Sequence, residues 1–382
     1  MKRMLWVWTV VCVLVGLLPV GVQGADLQIE AKSAILMDAA TGTVLYEQNA
    51  HEPLPPASVT KVMTMLLIME AIDNGQICWE DLVTTSEEAA AKGGSQVYLK
   101  VGETMTVKDM VKSIAVSSAN DCACAMAEHI AGTEAAFVEK MNAKAQELGM
   151  KDTHFVNCTG LDDDENAKDH KTSAYDIAVM SAQLLTKHPT IKEFTTIWMD
   201  TIRNGEFGLS NTNKMVRFYS GATGLKTGFT SQAGYCLSAS AQRDGMELIA
   251  VVMGCETSAK RFAACKSMLD HGFANYALIT PNLAEELAVP VKLGTKDKVS
   301  AVPGENAPIL IDKSQKNLIT MEVELEKEIS APVSQGQRLG TLTVKAGEQI
   351  LQQIPLVAHR VVRKLTFGQI FRHLLKTTLG GK

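Results

Sequence analysis

The sequence predicts an α+β protein: an antiparallel sheet with helices packed on it, then a small all-β domain, then a C-terminal amphipathic helix. Three observations predict it. An early strand hairpin and a late pair of antiparallel strands enclose a helix-rich middle. Beyond Pro281, short apolar runs alternate with Gly, Pro and charged residues. From Arg360 onward, basic residues flank an apolar stripe at helical spacing.

At the N-terminus, Lys2 and Arg3 precede an apolar stretch from Leu5 to Val22. Pro19 and Gly21 interrupt it just before Val22-Gln23-Gly24. This pattern predicts a secretory signal occupying 1–24, so the mature chain is expected to be exported. A retained N-terminal anchor is the alternative.

Ser33 to Tyr46 reads as a hairpin, with Asp38-Ala39-Ala40-Thr41-Gly42 as its turn. Pro53, Pro55 and Pro56 then stop regular structure. A helix is expected from Ala57 to about Ile72, apolar nearly all round and therefore buried. Thr106 to Ile130 predicts two helices broken near Ser117-Ser118-Ala119-Asn120, and Ser173 to Thr186 predicts another. Gly234–Ser240 and Met246–Met253 read as adjacent strands joined at Arg243-Asp244-Gly245. A last helix is expected over Ser258–Tyr276. In the all-β part the expected strands centre on Val289-Pro290-Val291, Ile309-Leu310-Ile311, Ile319–Val323 and Leu339–Val344. The expected divisions are 1–24, 25–280, 281–360 and 361–382.

With 382 residues there is room for two cores. Hydrophobic residues at 46% and charged residues at 21% exclude a disordered chain. Without Lys2 and Arg3, 35 basic residues face 42 acidic ones, a net charge of −7. That argues against a nucleic-acid partner. The basic concentration lies in the tail, where six basic residues and no acidic one fall between Arg360 and Lys382. With Phe367, Ile370, Phe371, Leu374 and Leu375 on one stripe, this segment is expected to lie on an anionic membrane surface.

Removing Cys12 leaves seven cysteines: Cys78, Cys122, Cys124, Cys158, Cys236, Cys255 and Cys265. An odd number is a poor disulfide framework, so free thiols are expected, together with a reducing or anaerobic habitat. Cys122 and Cys124 read as small buried helix residues. His154 and His170 flank the acidic run Asp162-Asp163-Asp164-Glu165, which reads as a solvated loop rather than a metal site.

The chemistry is carried by three short motifs. Ser58-Val59-Thr60-Lys61 is the only Ser-x-x-Lys in the chain. Ser118-Ala119-Asn120 and Lys226-Thr227-Gly228 follow it in order. Ser and Lys three apart on a helix share a face. A serine hydroxyl needs a base, and Lys61 can act as one only if burial keeps its amine partly neutral. At the head of a helix, Ser58 would also find backbone N–H groups for developing negative charge. Ser118 can relay a proton to a leaving amine, and Asn120 can hold a substrate amide. Lys226 supplies positive charge, Thr227 a hydroxyl, and Gly228 room for a substrate backbone. Alone, each motif is also compatible with a cap or a turn.

Together the motifs resemble the triple signature of penicillin-binding proteins and serine β-lactamases. Pro55-Pro56-Ala57-Ser58-Val59-Thr60-Lys61, Gly94-Ser95-Gln96-Val97-Tyr98-Leu99, and Lys226-Thr227-Gly228-Phe229-Thr230 with Ala233-Gly234-Tyr235 are similar to low-molecular-mass D,D-carboxypeptidases of the S11 peptidase type. The resemblance covers about residues 30 to 360. It implies a transpeptidase-like domain with helices on both sheet faces. It implies a serine D-Ala-D-Ala carboxypeptidase acting on peptidoglycan stem peptides through an acyl-enzyme on Ser58, and acylation by β-lactams. It also implies an oxyanion hole from the backbone N–H groups of Ser58 and Phe229, and Arg261 as the grip on the terminal carboxylate. Lys260 is the adjacent rival for that grip. The tail resembles the family's membrane anchor, which would hold the enzyme on the outer face of the cytoplasmic membrane. Ala119 departs from the family, which often has glycine there. No cofactor or metal is expected. Two other functions stay open: a serine β-lactamase, for which Glu165 is the tempting deacylation carboxylate, and a non-catalytic wall-binding protein.

Overall fold

The computed structural model describes residues 27–162, 165–281, 287–304 and 308–371. The expected signal segment, Asp163, Asp164 and residues 372–382 lie outside them. Five antiparallel strands form the main sheet. Their spatial order is Val44–Gln48, Ser33–Asp38, Met246–Cys255, Gly234–Arg243 and Ala222–Thr230. Ala222–Thr230 is therefore an edge strand with one side open.

Alternation along the central strands sends side chains to two cores, as a pleated strand requires. Ile35, Met37, Ile249, Val251 and Met253 join the larger core with the helices. Ala34, Leu36, Leu248, Ala250 and Val252 join the smaller one, covered by the helix Ser258–Asn275. Helices thus cover both faces. The helix Lys61–Asp73 passes through the larger core, with Lys61 and every residue from Val62 to Met69 buried. Around it stand Val107–Ser117, Asn120–Ala131, Glu134–Glu147 and Ala174–Lys187. Glu134–Glu147 has no counterpart in the sequence reading; its apolar stripe is thin, with only Phe137, Met141 and Ala145 fully buried among its apolar residues.

Downstream, a six-stranded sheet runs in the order Ile319–Leu325, Arg338–Ala346, Gln349–Ala358, Lys298–Pro303, Ala288–Lys292 and Ile329–Ser330. Its core includes Val289, Val299, Leu342 and Leu356. The Ile309–Asp312 strand leaves that sheet and pairs with Tyr276–Ile279, directly after the last helix. The expected boundary after Arg360 needs moving. Val362 is buried in the β core and bridges Val333, and Leu365 N donates to Leu293 O. A separate helical segment starts only at 367, where Thr366 N donates to Gln369 Oε1 as in a capping box. No helix among the described residues is long and apolar enough to cross a membrane.

Candidate active site

The chain reaches the site through Pro55 and Pro56. Ala57 then adopts a positive φ of 49°. The next turn differs from the expectation. Ala57–Thr60 is a 3-10 turn, and the α-helix begins at Lys61. Ser58 therefore sits in a tighter first turn that runs directly into the α-helix, and it keeps its expected place at the helix head. The i,i+3 relation survives, because a 3-10 turn stacks residues three apart. Lys61 Nζ lies 3.0 Å from Ser58 Oγ and donates to Thr159 O at 2.8 Å. Ser58 is partly exposed, whereas Lys61 is fully buried. Burial pulls the Lys61 ammonium down to about 7, against a smaller opposing pull from neighbouring Cys158 and Asp121. A half-neutral amine in contact with a serine hydroxyl is a poised base.

The acceptor for Lys61 belongs to a strip that sequence reasoning missed. Asn157 Oδ1 accepts from Thr159 N and Gly160 N. Cys158 N donates to Glu134 Oε1, and Thr64 Oγ1 donates to Cys158 O. Gly160 has φ +82°, and a Cβ there would stand 1.8 Å from Ala57 O. Only glycine lets this strip lie against the Ala57–Thr60 turn. His170 was expected in a solvated loop; it is instead buried behind that turn. A carbonyl ligand and a buried imidazole brought from 98 and 110 residues away leave no local sequence signal.

Ser118 ends the helix Val107–Ser117 in the left-handed region, φ 63°, and is buried. Asn120 opens the next helix. Its Nδ2 donates to Gly93 O and its backbone N to Ser95 O, both at 2.7 Å. Its Oδ1 is buried without a hydrogen-bond partner among the described residues. Asp121 accepts from Val97 N and Leu99 N, which fixes the Gly94–Leu99 strip beside Asn120.

The third motif lies on the open edge strand. Lys226 is buried, and its Nζ donates to Thr227 O at 2.8 Å. Burial, then the cations of Lys61 and Arg261, holds its ammonium well below the usual range. Thr227 Oγ1 donates to Thr212 Oγ1 at 2.7 Å. A Cβ on Gly228 would lie 2.7 Å from Pro56 O and 3.1 Å from Ser58 N. The edge strand and the Ala57–Thr60 turn are thus in direct backbone apposition. Phe229 follows, half exposed, its ring 4.3 Å from that of Tyr235.

Arg261 and Lys260 part company. Arg261 is buried and donates through Nη1 to Gly228 O at 2.9 Å and Cys236 O at 3.3 Å, beneath Tyr235 and Phe262. Its Nε is buried without a partner among the described residues. Lys260 turns outward to Glu256 and Glu30. The site therefore gathers three basic side chains beside one serine: Arg261, which stays charged, and Lys61 and Lys226, whose ammonium forms burial disfavours. That set suits a substrate with a carboxylate.

All seven described cysteines are free, and only Cys78 is exposed. Burial raises the Cys122 and Cys124 thiols. Glu88, Cys124 and Glu134 offer ligand atoms within 4.8 Å of one another. The Lys92 ammonium, 2.5 Å from Glu134 Oε2, already neutralises that carboxylate. Glu165 lies in the short turn Glu165–Asp169.

Known proteins bear directly on this arrangement. A family model described as D-alanyl-D-alanine carboxypeptidase matches residues 20–257, and one described as penicillin-binding protein 5, C-terminal domain, matches 284–364. The chain is 44% identical to the D-alanyl-D-alanine carboxypeptidase DacF of Bacillus subtilis, over 94% of this chain and 92% of that one. It is 34% identical to DacA of Escherichia coli, over 91% and 87%. Among solved structures, penicillin-binding protein 5 of Haemophilus influenzae superposes with a TM-score of 0.77 at 31% identity, covering 89% of this chain and all of that one. Ampicillin-bound penicillin-binding protein D2 of Listeria monocytogenes superposes with a TM-score of 0.60 at 33% identity, covering 65% of this chain and all of that one. Two matched regions, extensive identity and a shared fold lead to one conclusion: the chain belongs to the S11 peptidase family of serine-type D-alanyl-D-alanine carboxypeptidases.

Proposed function

We propose that this enzyme removes the terminal D-alanine from peptidoglycan stem peptides through an acyl-enzyme on Ser58. The observation that carries the assignment is the 3.0 Å approach of Ser58 Oγ to a buried Lys61 amine held at about 7. Lys61 takes the Ser58 proton as Oγ attacks the carbonyl between the two D-alanines. The N–H groups of Ser58 and Phe229 receive the oxyanion, in keeping with the apposition of Gly228 and the nucleophile turn. Ser118 relays the proton taken up by Lys61 to the departing D-alanine amine, donating its own and receiving that of Lys61, as the C–N bond breaks. The partnerless Asn120 Oδ1 is a natural acceptor for a substrate amide N–H. Lys226, Thr227 and Arg261 hold the terminal carboxylate, and Gly228 leaves room for the peptide to lie along the edge strand. Water then releases the acyl group. β-Lactams, which also carry a carboxylate beside an acylating carbonyl, label the same serine.

The same reading puts the enzyme outside the cytoplasm, released from a signal segment over 1–24. Residues 25–280 form the catalytic unit, and the β unit follows it. The tail holds the enzyme to the membrane surface; Phe367 at 82% exposure and Phe371 at 55% support this, since both present apolar surface outward. The test of function is D-alanine release from a pentapeptide ending in D-Ala-D-Ala. Release by the intact protein and none by Ser58→Ala is expected. Release that survives the substitution would reject Ser58.

A further inference from the structure

We infer that His170 is a positioning residue for the Ser58–Lys61 pair, acting through Thr60. The inference rests on the assignment of Ser58 and Lys61 above. His170 Nδ1 accepts from Val156 N at 3.0 Å and, more weakly, from Asn157 N at 3.4 Å. A nitrogen that accepts from backbone N–H groups carries no proton, so the ring is neutral with its proton on Nε2. Nε2–H then donates to Thr60 Oγ1 at 2.8 Å, and the Thr60 hydroxyl donates to Ala57 O at 2.8 Å. The relay ends on the residue preceding the nucleophile.

Ala57 holds a positive φ, a conformation that persists in a non-glycine residue only when its surroundings impose it. The bond from Thr60 to its carbonyl is one such constraint. At its other face the ring grips Val156 and Asn157, the start of the strip that presents Thr159 O to Lys61. One imidazole therefore ties together the two segments that set the Ser58–Lys61 and Lys61–Thr159 distances. The ring is 4% exposed and packs edge-on against Phe155 at 5.7 Å. Burial, with the neighbouring His154 and Lys61 charges, holds it down to about 4, which agrees with the neutral form that the two acceptor bonds demand.

The test compares His170→Asn, Thr60→Val and Thr60→Ser. In His170→Asn, a carbonyl can still accept from Val156 N, but nothing reaches Thr60. Thr60→Val deletes the hydroxyl at nearly constant shape, and Thr60→Ser keeps it. The readout is the second-order rate of acylation by a fluorescent penicillin from pH 5 to 9, with thermal melting measured alongside. A misplaced reacting pair is expected to cost about tenfold to a hundredfold. A looser, wetter Lys61 pocket moves the acid limb of the profile to higher pH. Thr60→Ser should retain the parent rate, and the His170→Asn/Thr60→Val double variant should be no slower than the worse single one, since both cut one relay. Folded His170→Asn and Thr60→Val proteins with the parent rate and the parent midpoint would overturn the role, even if both melt earlier. If His170→Asn does not fold, Thr60→Val decides alone. Labelled parent protein with unaffected variants overturns only the role of His170; unlabelled parent protein overturns the Ser58–Lys61 assignment as well.

Discussion

Replacing Lys61 by Met removes the amine and leaves an apolar chain of similar length in an apolar helix. The structure fixes what should follow. An ammonium at 10.5 would be neutral in only about 0.03% of molecules at pH 7, against about half for one at about 7. Burial thus raises the competent fraction more than a thousandfold, at a cost of about 5 kcal/mol for the charged form. Two consequences have opposite signs. Acylation by penicillin should fall by about 10²- to 10⁴-fold in Lys61→Met, the range for loss of a proton-transfer group. Stability should rise. The folded-state value is depressed, so between about pH 7 and 10.5 the unfolded chain binds a proton that the folded chain lacks. The parent protein therefore gains stability as pH rises through that window and carries the full cost below it. Lys61→Met should be the more stable protein at pH 6, with the gap closing towards pH 10.5. Stopped-flow acylation from pH 5 to 9 and urea unfolding at several pH values measure both. In the parent protein, acylation should drop about a hundredfold between its high-pH plateau and pH 5, with a midpoint shared by the coupled Lys61 and Lys226. A limb near pH 10, or a Lys61→Met protein that acylates at the parent rate, would refute the poised-base reasoning.

Arg261→Lys keeps the charge but loses the planar fork. It should lower kcat/KM for D-Ala-D-Ala peptides by about 10- to 100-fold, the value of lost charge-assisted bonds, as measured by D-alanine release. An unchanged kcat/KM would remove Arg261 from the carboxylate site. Gly228→Ala sets a methyl 2.7 Å from Pro56 O. It should push the edge strand off the nucleophile turn, with a stability loss of about 1–3 kcal/mol and a larger loss of acylation; acylation at the parent rate would contradict the apposition. Deleting residues 366–382 should leave activity on soluble peptide intact while releasing the enzyme from membranes. Fractionation with membranes unchanged by the deletion would refute the anchor. The cut falls at Thr366 because Val362 and Leu365 still belong to the β unit.

What could be read from the sequence was the part of the site set by local spacing. Ser58 and Lys61 meet because they are three residues apart on a helical turn, whichever kind of turn it is. The paired strands Gly234–Arg243 and Met246–Cys255 follow from their apolar runs and the Asp244-Gly245 turn, whose residues both have positive φ. The buried helix after Pro56 follows from its unbroken apolar run. The remainder depended on the fold. Thr159 contributes a carbonyl oxygen, which any residue possesses. His170 looked like a loop histidine because Asp162 to Asp169 is polar, yet it ends that loop by turning inward. Arg261 and Lys260 are adjacent, and only the direction of the helix Ser258–Asn275 decides which one reaches Gly228. Val362 sits in a basic stretch that reads as tail, but its side chain completes the β core.

Acylation of Ser58 is read most directly by intact-protein mass spectrometry after incubation with benzylpenicillin, followed by peptide mapping. A mass increase of one whole penicillin is expected, located on Ser58, long-lived at neutral pH and absent in Ser58→Ala. An adduct on another residue, or rapid turnover of penicillin with no lasting adduct, would contradict it.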